Sequence, residues 1–236
     1  MATTDRITQS IDVGNFDRIA LHVNNVENEI VIKQGEREAL TIEARPDVFA
    51  RLKTEVRNGQ LAIQLDGSWS DKINAALATS LKRLRIKYVV TVKHLTEVDI
   101  AGLAHVHAEA ITTDRLRVKF GGLGDVCLSK LNAQRLDIDV TMPSPCAIEV
   151  AGRVEEQHVS LNGMGEYDAR GLESRKAAVA LKGPGGHAIV RAEDDLTVSI
   201  SGPGRVEYYG QPRVTKRVSP LGVVTHLIDA EAVAAR

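Results

Sequence analysis

The sequence predicts an all-β fold, a parallel β-helix (solenoid) that winds once every ~20 residues. Three observations carry this expectation. An apolar, polar, apolar triplet recurs as Val98/Ile100, Val118/Phe120, Ile138/Val140, Val159/Leu161, Val179/Leu181 and Val198/Ile200, at intervals of 20, 20, 21, 20 and 19 residues. Glycines follow at one phase of the repeat, in "AGLAHVHA" from 101, "GGLGDVCL" from 121, "NGMGEYDA" from 162, "KGPGGHAI" from 182 and "SGPGRVEY" from 201. The residues between the apolar pairs, Asp99, Lys119, Asp139, Ser160, Ala180 and Ser199, are mostly polar. Alternation with period two places successive side chains on opposite faces of a strand, so one column faces a core and the other faces water.

Two further inward columns are expected beyond each corner. One runs Val106, Val126, Cys146, Tyr167, His187, Val206, and the other runs Ala108, Leu128, Ile148, Ala169, Ile189, Tyr208. The N-terminal third reads as degenerate coils over 12–65, with Ile19/Leu21, Leu40/Ile42 and Leu61/Ile63 keeping the rhythm and "NN", "QG" and "NG" supplying turns. Residues 66–85 break it: Ile73, Leu77, Leu81 and Leu84 have helical spacing, with Ser70 or Asp71 as cap, and predict a short amphipathic insertion. Regular coils resume over 86–228, and 229–236 is a short tail. Residues 1–236 are thus expected to form a single domain of about ten or eleven coils, a rod on the order of 50 Å long.

The glycines Gly102, Gly122, Gly124, Gly163, Gly165, Gly183, Gly185, Gly202 and Gly204 invite a phosphate-loop reading, which the spacing rejects. After Gly202 and Gly204 the chain continues as strand "VEYYG" with neither a third glycine in place nor a helix, and no Lys-Ser/Thr pair completes a P-loop. A calcium nonapeptide is rejected too, because Val126 stands where Asp is required. The structural reading assigns these glycines to tight corners between walls. The segment "TMPSPCAI" from 141 turns the same corner with Met142 and Ser144 in place of glycine.

Composition narrows function. With 30 basic and 31 acidic residues the net charge is -1, which draws the chain neither to nucleic acid nor to an anionic membrane. Aromatic residues at 3% remove the usual stacking platforms for bases and sugars. Cys127 and Cys146 make no disulfide framework, and the seven histidines do not cluster at ligand spacing; His187 is expected to be packed in the core with its nitrogens bonded to backbone. No cofactor or metal is expected. Nor is catalysis: the Asp99, Lys119, Asp139 line reads as a salt-bridged surface, and no long loops wall a cleft.

The stretches "FDRIALHVNNVENEIVIKQGEREALTIEA" from 16 and "LKTEVRNGQLAIQL" from 52, with Trp69 in the insertion and the serial "ISGPG"-type corners, resemble the bacterial GIN-domain family of auto-transporter adhesin heads over about 12–228. The resemblance implies a right-handed parallel β-solenoid and no assigned catalytic residue. It also implies entry into the envelope through a leader. "MATTDRITQS" shows none, so the expected location is cytoplasmic as the sequence stands, and the cell envelope or outside the cell if a leader precedes it. The expected function is a non-catalytic scaffold that self-associates, with Trp69, Leu77, Leu81 and Tyr209 as contact points. The alternative is an adhesin-like module for a surface glycan or protein. A polysaccharide-active enzyme comes last. Neither nucleic-acid binding nor membrane insertion is expected.

Overall fold

The computed structural model describes residues 6–66, 84–141 and 145–228. The chain is 75% strand and forms a β-solenoid of about six turns. In chain order the elements are β1 Ile7–Ile11, β2 Arg18–Gln34, β3 Ala39–Ala44, α1 Pro46–Phe49, β4 Leu52–Arg57, β5 Gln60–Leu65, β6 Arg85–Val92, β7 Glu97–Ala108, β8 Ile111–Val140, β9 Cys146–Asn162, β10 Glu166–Lys182, β11 Gly186–Arg191, β12 Asp195–Ile200, β13 Gly204–Tyr209, β14 Arg213–Val218 and β15 Gly222–His226. The long strands bend at glycine corners and so contribute to more than one wall.

On the first wall, Val98 lies beside Val118, Ile138 beside Val159, Val159 beside Val179 and Val179 beside Val198, all parallel. The apolar triplets of the repeat therefore stack in register, and their side chains are 3% exposed or less. The second wall stacks Val106 on Val126, Val126 on Ile148, Ile148 on Tyr167, Tyr167 on Ala188 and Ala188 on Val206. A short third side runs through 131–133, 152–154 and 171–174.

The corners explain the glycines. Gly102 has φ 104°, and a Cβ there would stand 2.6 Å from the carbonyl oxygen of Val23 in the preceding turn. On Gly122 it would overlap the carbonyl of Gly102. Gly163, Gly165, Gly183, Gly185, Gly202 and Gly204 occupy the equivalent corner of later turns. Gly152 and Gly210, which the repeat did not single out, meet Leu131 and Ala192 in the same way.

Three expectations are corrected. Leu40/Ile42 is not a further winding. β3 runs antiparallel to both β1 and β6, and β4 pairs antiparallel with β5 through the Asn58-Gly59 turn, both of whose residues have positive φ. These antiparallel pairings close the N-terminal end instead of lengthening the rod, so about six turns at strand spacing span about 29 Å, not 50. Second, the inward columns shift. The corner after Val140 is two residues longer than the one after Phe120, so Cys146 sits beside Gly124, and Ile148 and Val150 take the column places beside Val126 and Leu128. The extra glycine in "GPGGH" displaces the next turn by one, so Ala188 and Val190 are the column residues. Third, His187 therefore points outward, bonded to carboxylates and not to backbone. The expected helix within 66–85, with Trp69, Leu77 and Leu81, the odd corner at Met142 and Ser144, and the tail 229–236 lie outside the described residues.

Candidate functional site

The outer face of the first wall changes character along the solenoid. Toward the N-terminal end it is charged: Lys119 Nζ donates to Glu97 at 2.8 Å, His22 lies 3.3 Å from Asp99, and Arg117 Nη2 lies 2.7 Å from Asp139. Asp99, Lys119 and Asp139 thus stand on one wall but spend their charge on other partners. Along one border an alternating ladder climbs through Arg135, Glu156 and Lys176, with contacts of 3.8 and 3.7 Å, and resumes with Asp195 and Arg213 at 2.7 Å. Inside that border the wall becomes small: Ser160, Ala178, Ala180, Thr197 and Ser199 occupy successive outward places.

Long side chains beside short ones make a trough of about 420 Å³, floored by those small residues and bounded at one end by Arg115, Arg117, Arg135, Asp137, Asp139 and His158. Asp137 anchors this end. Arg115 and Arg135 each donate to it, at 2.8 and 3.0 Å. Burial raises its pKa, but the hydrogen bonds from Arg135 and Arg115 outweigh that and hold the carboxyl below the usual aspartate range. Arg135 is correspondingly held above the usual guanidinium range, first by its hydrogen bond to Asp137. His158 Nδ1 is buried without a hydrogen-bond partner, 3.8 Å from Asp137. Chemically this is a surface of fixed positive forks, hydroxyls and methyls, suited to holding an extended polar chain.

Of the contact points expected from sequence, Tyr209 is described: it is half-buried, with the Arg191 guanidinium 4.9 Å from its ring centre. Neighbouring Tyr208 packs partly against the core and stacks on His226 at 4.8 Å. The trough was not foreseen. Its signal was in the outward column, which loses charge from Ser160 onward. Among the described residues, no group of three or more His, Cys, Asp or Glu could hold a metal ion, and no helix is long and apolar enough to cross a membrane.

Stacked walls, tight corners and a shallow outer trough define a class of protein, the repeat-built β-solenoid that presents a long flat surface. Within it the chain belongs to the family described as "Putative auto-transporter adhesin, head GIN domain", which matches residues 15–212. Among solved structures it is similar to a putative adhesin from Bacteroides fragilis, at 21% identity and a TM-score of 0.79, covering 95% of this chain and 98% of that one. It is similar as well to a putative lipid binding protein from Parabacteroides distasonis, at 20% identity and a TM-score of 0.64 with the same coverage. A putative adhesin from Parabacteroides merdae gives 18% identity, a TM-score of 0.65, and 95% and 97% coverage. At such identities the likeness establishes the fold. No curated protein matches the chain.

Proposed function

We propose that the protein is a non-catalytic, adhesin-like binding module that holds an extended surface ligand, a glycan or protein chain, in the trough on its first wall. The observation that carries this is the run of small residues Ser160, Ala178, Ala180, Thr197 and Ser199 between charged borders, which leaves about 420 Å³ open along the stack. The family description and the adhesin names of similar structures support the reading. Against catalysis stands the state of the trough's carboxylates: Asp137 and Asp139 are engaged by guanidinium groups, and Asp137 is held ionised, whereas a general acid needs a raised pKa. Such a role places the protein at the cell envelope, which fractionation of native cells would check.

The test is a glycan array and a peptide array probed with the wild type and with Ala178→Trp and Ala180→Arg, which fill the trough from outside. Ligands lost by both variants support the reading. An unchanged binding pattern, or an absence of binders on both arrays, refutes it.

A second reading, self-association of the scaffold, is favoured by the large hydrophobic side chains exposed among the described residues: Leu123, Met164, Val218, Leu221, Val223 and Ile228.

A further inference from the structure

The trough sits in an uneven field of charge. Along its border Arg115 and Arg135 share Asp137, and Arg135 and Lys176 share Glu156, so three cations face two carboxylates. Arg117 with Asp139 and Arg213 with Asp195 form balanced pairs. Two further cations stand toward the C-terminal end. Arg217 lies beside the floor residue Ser199, and Lys182 follows two places after Ala180 on the same outward face. Both are exposed, and among the described residues no carboxylate pairs with either. The trough and its rim therefore hold three positive charges in excess, one from the shared border and one each from Lys182 and Arg217. In a chain of net charge -1 that excess is local. Nearer the N-terminus the same wall turns acidic, where Glu97 accepts from Lys119 and Asp99 lies beside it. On the third side a smaller hollow of about 150 Å³ is lined by Glu155, Glu173 and Glu193 against Arg153 and Arg175. A positive cleft among acidic neighbours raises the local concentration of anions.

We infer, on the binding-module reading, that the trough takes an acidic glycan: a sugar chain that carries carboxylates at intervals. An uncharged glycan draws its grip from aromatic faces, and among the described residues no Phe, Tyr or Trp lines the trough. A carboxylate needs guanidinium forks and hydroxyl donors, which Arg115, Arg117 and Arg135 and the floor's Ser160, Thr197 and Ser199 supply. The protein's own carboxylates display the fit, since Arg117 and Arg213 hold Asp139 and Asp195 at 2.7 Å.

A peptide is less suited to this surface. The floor is the face of a sheet whose backbone groups are spent in the ladders joining β9, β10, β12 and β14, so an extended peptide finds no strand edge there to add to. Charge density separates one acidic glycan from another. From the turn of Asp137 to that of Arg217 the register takes four steps, about 19 Å at strand spacing, so the excess is one positive charge every ~6 Å. That suits about one carboxylate per sugar, whereas a heavily sulfated chain brings surplus anions against Asp137, Asp139 and Asp195, which repel them.

Fluorescence polarisation of labelled oligomers with the full chain, at low and high salt, is the experiment. The probes are oligogalacturonate, oligoglucuronate and oligomannuronate, each also as its methyl ester, together with heparin fragments and polyglutamate. The expected result is that at least one uronate oligomer binds, that its methyl ester does not, and that the dissociation constant rises with salt. Lys182→Glu/Arg217→Glu is expected to raise that constant on the order of tenfold, and Lys182→Gln/Arg217→Gln by less. Ala178→Trp, which fills the trough without changing its charge, is expected to abolish binding. Lys33→Glu/Lys130→Glu makes the same change of charge at exposed places away from the first wall and is expected to leave binding unaltered. Circular dichroism establishes that each variant is folded, and the glutamine pair remains decisive if the glutamate pair is not. A ligand displaced by Ala178→Trp yet bound equally as its methyl ester overturns the acidic glycan and leaves the trough standing as a site. Uronate binding that survives Ala178→Trp, or that the Lys33 and Lys130 changes weaken as much, overturns the trough as its site. Preference for heparin or polyglutamate over every uronate overturns the inference and assigns the trough to a sulfated chain or an acidic peptide. Binding of no uronate overturns it as well, and the arrays then decide separately whether the trough binds anything.

Discussion

Two tyrosines show how single residues hold the interior together. Tyr167 is fully buried, and its hydroxyl donates to Gln157 Oε1 at 3.0 Å; Gln157 Nε2 donates to Ser174 Oγ at 2.8 Å, and Ser174 Oγ donates to the Arg191 carbonyl at 2.6 Å. Tyr88 makes the same kind of contact with buried Asn28, whose amide reaches the carbonyls of Val23 and Leu103. Burial pushes both phenols well above the usual range, which keeps them neutral donors. These networks join residues of different turns, so they oppose sliding of one turn over the next as well as separation. Tyr167→Phe leaves the Gln157 carbonyl unpaired in the core and is expected to cost about 1–3 kcal/mol by urea unfolding; a change within error would show that Gln157 finds another partner. Gly122→Ala is expected to be worse, about 3 kcal/mol or more, because its methyl would overlap the Gly102 carbonyl and the corner cannot open without unstacking a turn. Recovery of Gly122→Ala with wild-type stability would contradict the close-packed corner.

At the scale of elements, each wall is set by what its neighbour offers. β2 lies between β5 and β7 on the first wall and between β6 and β7 on the second, so it is a complete winding flanked on both sides. The N-terminal end is finished by antiparallel strands, which turn the stack's direction and stop it. The C-terminal end is finished differently, by the charged strand β14. Lys216→Val would continue the apolar column of Val198 and remove the charge that guards the edge. The expected outcome is time-dependent light scattering from end-to-end addition in the variant and not in the wild type. Equal scattering from both would show that the edge is protected otherwise.

For the molecule as a whole, acid is the informative perturbation. Asp137 and Asp168 both have lowered pKa values: burial raises each, and hydrogen bonds from Arg135 and Arg115 in one case, and from Arg170 in the other, more than offset it. A carboxyl depressed in the folded state stabilises it above the unfolded value near 3.8 and loses that contribution as pH falls through the folded value. Unfolding free energy is therefore expected to be flat above about pH 5 and to fall below about pH 4, with a shallower fall in Asp137→Asn. A variant slope equal to that of the wild type would mean that the Arg115 and Arg135 clasp adds nothing to stability.

What the sequence determined by itself was the winding. A twenty-residue period, apolar pairs with polar centres and glycines at one phase are local statements, and together they specify stacked parallel strands and tight corners. Tertiary structure alone decided three things: where the stack ends, which residue of a lengthened corner returns to the core, and where the outer surface is hollow. Leu40 and Ile42 keep the spacing of a coil yet pair antiparallel, because alternation records which side chains turn inward and not the direction of the neighbouring strand. Cys146 and His187 illustrate the second point, since a corner that absorbs one or two residues leaves the period almost unchanged while moving the side chains that follow it. The trough illustrates the third: it is built from residues some twenty apart, each ordinary alone, whose chemistry exists only once the turns lie side by side.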